Sequence, residues 1–512
     1  MLDLLEAYGF FGLQHGSAVL LGLLRSKILA ATLGPFGVGI FSQANTFFTL
    51  LQGFYILGLG GSLTKMVAEA CAREDYPGLN QTILTVMLAY SGVGLIFVAL
   101  CTLFAQPLAQ FAFSSSVYRG YIILVGLTAF AWLHYQELLI VFRGLMQWRE
   151  ASLVAILGNA INVLVMLGCV LLWGVWGAVL SLLISQVVSF LLAFGLLVRS
   201  TARRYPIRFW KAKPQWSILR SLWDFAAPLT VMNLLGTLLN LIIRSQIIRQ
   251  LGVEANGLYQ AAYSVSFAYM GFVNTAVWGY GIPKLSALKE NIGEVVRIQN
   301  NSLRLGWLTL VPFTVALLAG REIWIPLLFS PAFLSVAPLF IWQLMGDVLF
   351  FMRMNILISM VPLEKMRNYF FEGVAQWLGW TGFSMLFLER WGIAAVLFGY
   401  FAVNLLFLVF DLTLQSRVIA FRLSPENRRM FLKGIPLVVL GYLLAQWIPF
   451  SFWRLALCSA VVLALLVWLP SAQEKRSGAA YLRRLLAKLL APFFKGPRLS
   501  EGENPKEAQH NG

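Results

Sequence analysis

The chain has 512 residues, of which 59% are hydrophobic and 12% are charged. Soluble proteins carry about a quarter charged residues, so this composition excludes a soluble globular protein. The formal net charge of +17 would suit a nucleic-acid partner, but its distribution along the chain excludes that reading, as shown below.

Apolar runs of about 20 residues are long enough to cross the hydrocarbon core of a bilayer. They predict an all-α polytopic membrane protein with about 14 transmembrane helices. In chain order the predicted spans are 9–33, 37–63, 80–104, 118–142, 150–174, 176–198, 222–250, 256–282, 299–319, 334–360, 367–388, 391–416, 434–450 and 452–470.

Basic residues fall almost entirely on one side of these spans. The loops after even-numbered spans, together with the tail, hold 30 Lys and Arg residues, and the odd-numbered loops hold five. Because loops rich in Lys and Arg stay in the cytoplasm, both termini are predicted to be cytoplasmic. The net charge therefore reflects membrane topology, and no nucleic-acid partner is expected.

Two blocks of six spans repeat each other at a nearly constant offset along the chain, which predicts two parallel lobes. The matched segments are Arg25-Ser26-Lys27-Ile28 with Arg244-Ser245-Gln246-Ile247, Leu33-Gly34 with Leu251-Gly252, Gly39-Ile40-Phe41 with Gly257-Leu258-Tyr259, and Trp176-Gly177 with Trp391-Gly392. Proteins built this way bind cargo between their lobes and move one lobe against the other.

The predicted organisation has five parts. They are an N-lobe (1–199), a basic cytoplasmic linker (200–221), a C-lobe (222–418), an extra transmembrane hairpin (434–470) and a cytoplasmic tail (471–512). From Tyr481 to Phe493 the tail predicts an amphipathic helix. One half of its helical wheel holds five leucines with Tyr481 and Phe493, and the other half holds two arginines and a lysine. Such a helix is expected to lie on anionic lipid at the inner leaflet.

The Arg-Ser-x-Ile, Leu-Gly and Gly-Ile/Leu-Phe/Tyr pattern after spans one and seven resembles the polysaccharide-transport flippases. So does Arg143-Gly144-Leu145-Met146-Gln147 at the exit from span four. The resemblance covers roughly residues 1–420. The superfamily of these flippases also contains multidrug exporters and the lipid II flippase.

The resemblance implies that an undecaprenyl-diphosphate-linked oligosaccharide, such as an O-antigen unit, moves from the inner to the outer leaflet of the bacterial cytoplasmic membrane. A polysaccharide polymerase complex is a partner that such a function allows. Fourteen spans match the lipid II flippase, whereas twelve are commoner among O-antigen flippases, so the cargo stays open.

Arg25 and Arg244 occupy equivalent places in the two lobes, at one depth in the membrane. Charges at that depth usually face a cavity or a partner, and a guanidinium suits the oxygens of a diphosphate. We therefore expect these two residues to bind the diphosphate, with Lys27 as a further candidate. The alternative is that each arginine extends to the outer lipid headgroups or pairs with backbone carbonyls, and that Lys27, which points away from Arg25, extends to headgroups.

A second group of ionisable residues lies deeper in spans four and ten. Arg353 stands at the repeat equivalent of Glu137, so an ion pair between the lobes is expected, with Arg353 also a diphosphate ligand. Glu137, Asp347 and His134 are candidates for taking up H⁺ or Na⁺ during transport or for gating. The alternatives are a structural salt bridge and, for His134, a hydrogen bond between helices.

Other polar residues suggest a hydrated path for sugars, or hydrogen bonds between helices. They are Gln43, Asn45, Gln52, Asn233, Asn240, Asn274 and Gln376. Glu372 and Asp411 are expected on the solvated surface near the cytoplasmic ends of their spans.

No catalytic residue, metal site or cofactor is expected, and the four scattered cysteines indicate neither a disulfide framework nor a zinc site. Two other functions remain open. A polysaccharide polymerase or glycosyltransferase would usually need a longer extramembrane segment for its catalytic acid. A multidrug or cation exporter of the same fold would be expected to have an acid-lined pocket.

Overall fold

The computed structural model describes residues 2–55, 59–201, 212–216 and 227–470. The helices of the first repeat are α1 (Leu2–Tyr55), α2 (Leu59–Ala72), α3 (Tyr76–Leu103), α4 (Ala105–Phe113), α5 (Arg119–Gly144) and α6 (Trp148–Thr201). Most of the predicted linker and the predicted tail helix lie outside the described residues.

The second repeat and the hairpin follow the same plan. Their helices are α7 (Ala227–Leu251), α8 (Val253–Ala287), α9 (Ile292–Ala319), α10 (Arg321–Leu328), α11 (Phe340–Leu357), α12 (Met366–Trp391), α13 (Ile393–Ile419), α14 (Pro425–Trp447) and α15 (Phe452–Trp468). No β-strand occurs in the described part of the chain, and the predicted all-α class is confirmed.

Nine helical segments within the described residues are long and apolar enough to cross a membrane. Two of them, Gly16–Phe54 and Trp148–Arg199, contain a bend and form two spans each. The more polar α8 and α12 and the shorter α15 supply the remaining three crossings of the predicted 14.

Four glycines with positive φ form the turns at one face of the protein, which we call the glycine face. They are Gly34, Gly174, Gly252 and Gly392, with φ of 62°, 56°, 90° and 57°. A Cβ is strained in this conformation, so glycine breaks the helix where a short turn is needed.

These turns also give the register of the repeat. Gly252 follows Gly34 at the same interval along the chain at which Gly392 follows Gly174. The pairing of Trp176-Gly177 with Trp391-Gly392 is therefore wrong by three positions, and Trp173-Gly174 is the true counterpart. Two dipeptides of the same composition lie one turn apart, and backbone conformation distinguishes them.

The two lobes meet where α1 packs against α7 and α8. Near the glycine face this interface is a continuous apolar core that includes Leu29, Phe41, Ile243, Ile247 and Tyr259. Burial of these side chains holds the lobes together at this end. Deeper in the membrane, α1, α7 and α8 line a cavity instead.

The hairpin α14–α15 packs on α9. Tyr442 donates a hydrogen bond to Thr314 at 2.9 Å, and Gly434 leaves room for the ring of Trp307. At the glycine face, Arg454 of α15 is 1% exposed and contacts Glu322 of α10 and the carbonyl of Ala319. These contacts join the hairpin to the C-lobe.

Candidate functional site

A central cavity of about 540 Å³ lies between the lobes. Its walls come from both halves of α1, from α7 and α8, and from Trp377 of α12. Most of its polar lining consists of hydroxyl and amide side chains: Ser26, Ser42, Asn45, Thr46, Thr49, Asn233, Thr237, Asn240, Gln260 and Ser264. The predicted position of a cargo site, between the two lobes, matches this cavity.

Arg244 lies in the cavity wall nearest the glycine face and is 1% exposed. Its guanidinium donates to amide oxygens of Asn240 at 2.9 Å, Asn256 at 3.2 Å and Gln260 at 2.6 Å. The rings of Tyr259 and Tyr263 lie 4.8 and 5.1 Å from the guanidinium carbon. These neutral groups orient the arginine and leave its positive charge uncompensated.

Arg25 lines the same cavity from the other lobe. Its guanidinium carbon lies 5.4 Å from the centre of the Phe41 ring. Among the described residues, no acceptor or carboxylate bonds to this side chain. Its five N–H donors are therefore available to a ligand.

No acidic side chain lines the central cavity in the described part of the chain. Two arginines thus give the cavity a net positive charge in surroundings of low dielectric, where charge interactions are strong. An anion is the ligand that this arrangement favours, and a cation is disfavoured.

Lys27 lies outside the cavity. Its ammonium donates to the carbonyls of Pro326 at 2.8 Å and Phe329 at 2.9 Å, at the end of α10. Those carbonyls lack partners within their own helix, and the helix end carries partial negative charge. Lys27 therefore joins the N-lobe to the C-lobe near the glycine face, which corrects its expected position as a diphosphate ligand.

Arg353 forms a buried cluster within its own lobe. It donates to Asp411 at 2.7 Å, to Asn404 at 2.7 Å and to Glu372, and it is 3% exposed. Glu372 and Asp411 are 5% and 0% exposed, so the expectation that they lie on the solvated surface is wrong. With two carboxylates beside it, this arginine has no excess positive charge to offer a phosphate.

Glu137 pairs with His134, at 3.5 Å between Oε2 and Nδ1, and not with Arg353. The expected ion pair between the lobes is therefore wrong for this conformation. His134 also lies 3.3 Å from Ser91 and is packed between the rings of Phe130 and Phe190. Arg353 is already paired with Glu372 and Asp411 of its own lobe, so it needs no acidic partner across the interface.

Asp347 is fully buried in the C-lobe, where neutral donors surround its carboxylate. Ser266 donates at 2.6 Å, Tyr400 at 3.2 Å and Gln343 at 3.3 Å, and Tyr269 donates to the second oxygen. No Lys, Arg or His of the described residues bonds to it. A carboxylate without a cationic partner is the kind of group that binds a proton or a cation.

Sequence reasoning overlooked the cluster of Arg353, Glu372 and Asp411, and it overlooked the ion pair of Arg454 with Glu322. A signal was present, because opposite charges stand in or beside the apolar segments of the C-lobe and of the hairpin that follows it. Buried charges need partners, and for Arg353 the nearest candidates were in the same repeat.

Comparisons with known proteins agree with this architecture. Residues 6–289 match the family described as polysaccharide biosynthesis protein. The lipid III flippase of Escherichia coli (strain K12) is 29% identical over 333 residues, which are 64% of this chain and 78% of the relative. Stage V sporulation protein B of Bacillus subtilis (strain 168) is 35% identical over 92 residues, 18% of each chain.

Solved structures share the fold at low identity. The lipid II flippase MurJ in an inward closed conformation superposes with a TM-score of 0.69 and 12% identity, covering 93% of this chain and 99% of that one. An inward-facing multidrug resistance MATE family transporter of the MOP superfamily gives 0.62 and 17% identity, covering 79% and 94%.

The two-lobed fold, with a cavity between its lobes, is the fold of the membrane transporters with which this chain superposes. The resemblance to the flippase superfamily is confirmed. The chain belongs to the polysaccharide biosynthesis protein family.

Proposed function

We propose that this protein flips an undecaprenyl-diphosphate-linked oligosaccharide, an O-antigen unit or a similar polysaccharide repeat unit, across the bacterial cytoplasmic membrane. The observation that carries the proposal is the central cavity, which holds Arg25 and Arg244 and no acid among its described lining residues. A diphosphate is the part of such a lipid that needs positive charge. The names of the lipid III and lipid II flippases support the same cargo class.

The two arginines have different parts in this proposal. Arg244 is held in place by amide oxygens and provides a fixed charge. Arg25 has free donors and closes on the diphosphate from the other lobe. Paired guanidinium groups bind phosphate oxygens at defined angles, which a lysine ammonium does not.

Transport follows from movement of the lobes. The apolar contacts and the Lys27 bonds close the cavity at the glycine face. The bias of Lys and Arg along the sequence supports an outward position for that face, with both termini in the cytoplasm. Opening this face would release the diphosphate and sugar at the outer leaflet, and closing it would return the empty carrier.

The membrane potential can drive the outward step. An inside-negative potential contributes about 2.3 kcal/mol per charge per 100 mV, so outward movement of a lipid diphosphate without co-moving cations is favourable. An ion gradient is the other source of energy. Asp347, Glu137 and His134 are the groups we propose for binding H⁺ or Na⁺ or for gating, and no other cofactor is proposed.

The test is flipping of a fluorescent undecaprenyl-diphosphate oligosaccharide in proteoliposomes. We expect Arg25→Ala/Arg244→Ala to abolish flipping, and Arg390→Ala, an exposed arginine at the glycine face, to leave it unchanged. Correct folding is checked by thermal unfolding in detergent.

A multidrug exporter is the rival with the same fold. If wild type moves a cationic dye and no diphosphate lipid, and the double variant moves the dye equally well, the flippase proposal fails.

A further inference from the structure

A second cavity of about 370 Å³ opens beside the central one, within the C-lobe. We call it the side cavity. It shares a wall with the central cavity, formed by Met232, Asn233, Tyr263, Phe267, Gly271 and Trp377. A ligand held by Arg25 and Arg244 therefore lies next to the side cavity.

Aromatic rings form one wall of the side cavity. The ring centre of Trp380 lies 5.3 Å from that of Trp377 and 5.3 Å from that of Tyr400. Trp377 lines both cavities, and its indole lies against Gly236, where an added Cβ would come within 2.8 Å of the ring. The glycine thus makes room for the indole.

The side cavity also holds a polar group with no partner. Gln376 is 7% exposed and lines the cavity, and its amide makes no hydrogen bond to any residue in the described part of the chain. The amide N–H donors and the amide oxygen of Gln376 are therefore available to a ligand that can both accept and donate hydrogen bonds.

The charge of the side cavity differs from that of the central cavity. Asp347 and Glu372 line it together with Arg353, whose charge is already paired. A diphosphate would be repelled by the carboxylate of Asp347, which has no cationic partner among the described residues. A neutral ligand with hydroxyl groups would not.

The N-lobe has no counterpart of these residues. The glycine turns, together with the positive-φ residues Met146 and Glu364, which are separated by the same interval, give the register of α6 against α12 and α13. In that register Glu372, Asp411 and Trp380 correspond to Val154, Ala193 and Asn162. The two-lobed fold can thus be built without the acidic and aromatic groups, and their presence in one lobe needs a separate reason.

From these observations we infer that the side cavity binds the glycan of the cargo, with a sugar ring stacked on Trp377 and its hydroxyl and amide groups bonded to Gln376. The C–H face of a pyranose is apolar and slightly positive, and it packs on the negative face of an aromatic ring. The inference rests on the proposed function, and it divides the site into a phosphate half between the lobes and a sugar half in the C-lobe.

The test compares two probes, a C15 polyprenyl diphosphate and the same lipid carrying an N-acetylhexosamine disaccharide. Equilibrium binding is measured by microscale thermophoresis with the full chain in lipid nanodiscs. Wild type is expected to bind the glycosylated probe about fivefold to tenfold more tightly than the bare one. Trp377→Ala and Gln376→Leu should remove most of this difference, and Gln376→Leu, which lies outside the central cavity, should leave the affinity for the bare lipid unchanged.

Two further variants separate stacking from a loss of structure. Trp377→Phe keeps an aromatic face and should retain most of the preference for the glycosylated probe. Trp391→Ala removes a half-exposed indole at the glycine face, away from the cavity, and should behave as wild type.

The inference is overturned if wild type binds both probes equally, or if Trp377→Ala weakens both to the same extent. Neither result contradicts the proposed binding of the diphosphate by Arg25 and Arg244. If wild type binds neither probe, or if Arg25→Ala/Arg244→Ala binds both as well as wild type, the proposed function itself fails.

Discussion

Gly39 and Gly257 face each other across the boundary between the lobes, backbone against backbone. They hold equivalent places in the two repeats, each five positions after the glycine of its turn. A Cβ on Gly257 would lie 1.9 Å from the carbonyl oxygen of Pro35, and one on Gly39 would lie 2.1 Å from that of Val253. Both clashes are with main chain, so neither can be relieved by a rotamer change.

Gly257→Val is therefore expected to prevent closure at the glycine face. Overpacking costs about 1–3 kcal/mol, which shifts the balance between closed and open states by about fivefold to 150-fold. A cysteine introduced at Ser42 should react faster with a membrane-impermeant maleimide, and flipping should fall. Gly168→Ala, where an added Cβ meets nothing within 4 Å, is the control. Unchanged labelling in Gly257→Val would show that the lobes do not separate here.

Lys27→Met is expected to weaken a second contact at the glycine face, the one between α1 and the end of α10. Hydrogen bonds from a charged group contribute about 1.5–3 kcal/mol, and Lys27 makes two of them to the end of α10. Deuterium uptake in 321–330 should rise, whereas Lys289→Met, which breaks an exposed pair with Glu364, should not affect that segment. The idea is wrong if uptake in 321–330 is the same in both variants.

Arg353→Leu is expected to destabilise the C-lobe by about 3–5 kcal/mol, because it leaves two buried carboxylates without a cation. Arg353→Leu/Glu372→Gln/Asp411→Asn removes the whole cluster and should recover much of the loss. Thermal unfolding in detergent measures both. Arg297→Leu, which breaks an exposed pair with Glu294, should have little effect. A triple variant as unstable as the single one would contradict charge pairing as the cause.

Glu322 predicts a pH dependence at the join between α10 and the hairpin. Burial alone would raise the pKa of this carboxyl, but hydrogen bonding from Arg454 and the nearby positive charges outweigh it and hold the pKa below the ordinary 4.5. A lowered pKa contributes stability that is present above the ordinary value and lost as pH falls through the folded-state value. Thermal stability of wild type should therefore fall below about pH 4.5 more steeply than that of Glu322→Gln. If the thermal stability of wild type and of Glu322→Gln falls equally with pH, the ion pair of Glu322 with Arg454 does not contribute to stability.

The class of fold could be predicted from the sequence because each predicted element depends on a local property of the chain. Apolar runs of sufficient length must span the bilayer, and the distribution of Lys and Arg gives the expected orientation. The repeat was visible in short motifs such as Leu33-Gly34 and Leu251-Gly252, where the backbone needs a glycine. Arg25 and Arg244 could be singled out because charge in a span requires a cavity or a partner.

The partners of charged side chains were not predictable in the same way. Lys27 was expected near lipid or cargo, yet it bonds to carbonyls far along the chain, in the other lobe. Arg353 was matched to Glu137 by repeat position, yet its carboxylates come from α12 and α13. Ion pairing depends on distances of a few ångströms, and helix packing decides these.

Hydropathy and the glycine turns, both local properties of the chain, thus determined the number of spans and the two-lobed plan. Tertiary structure alone decided that no acid of the described residues lines the cavity of Arg25 and Arg244, that Glu372 and Asp411 are buried beside Arg353, and that Trp377 lines two cavities. The physical reason is that a helix specifies which face is apolar, while its rotation and depth against its neighbours depend on side chains far away in the sequence.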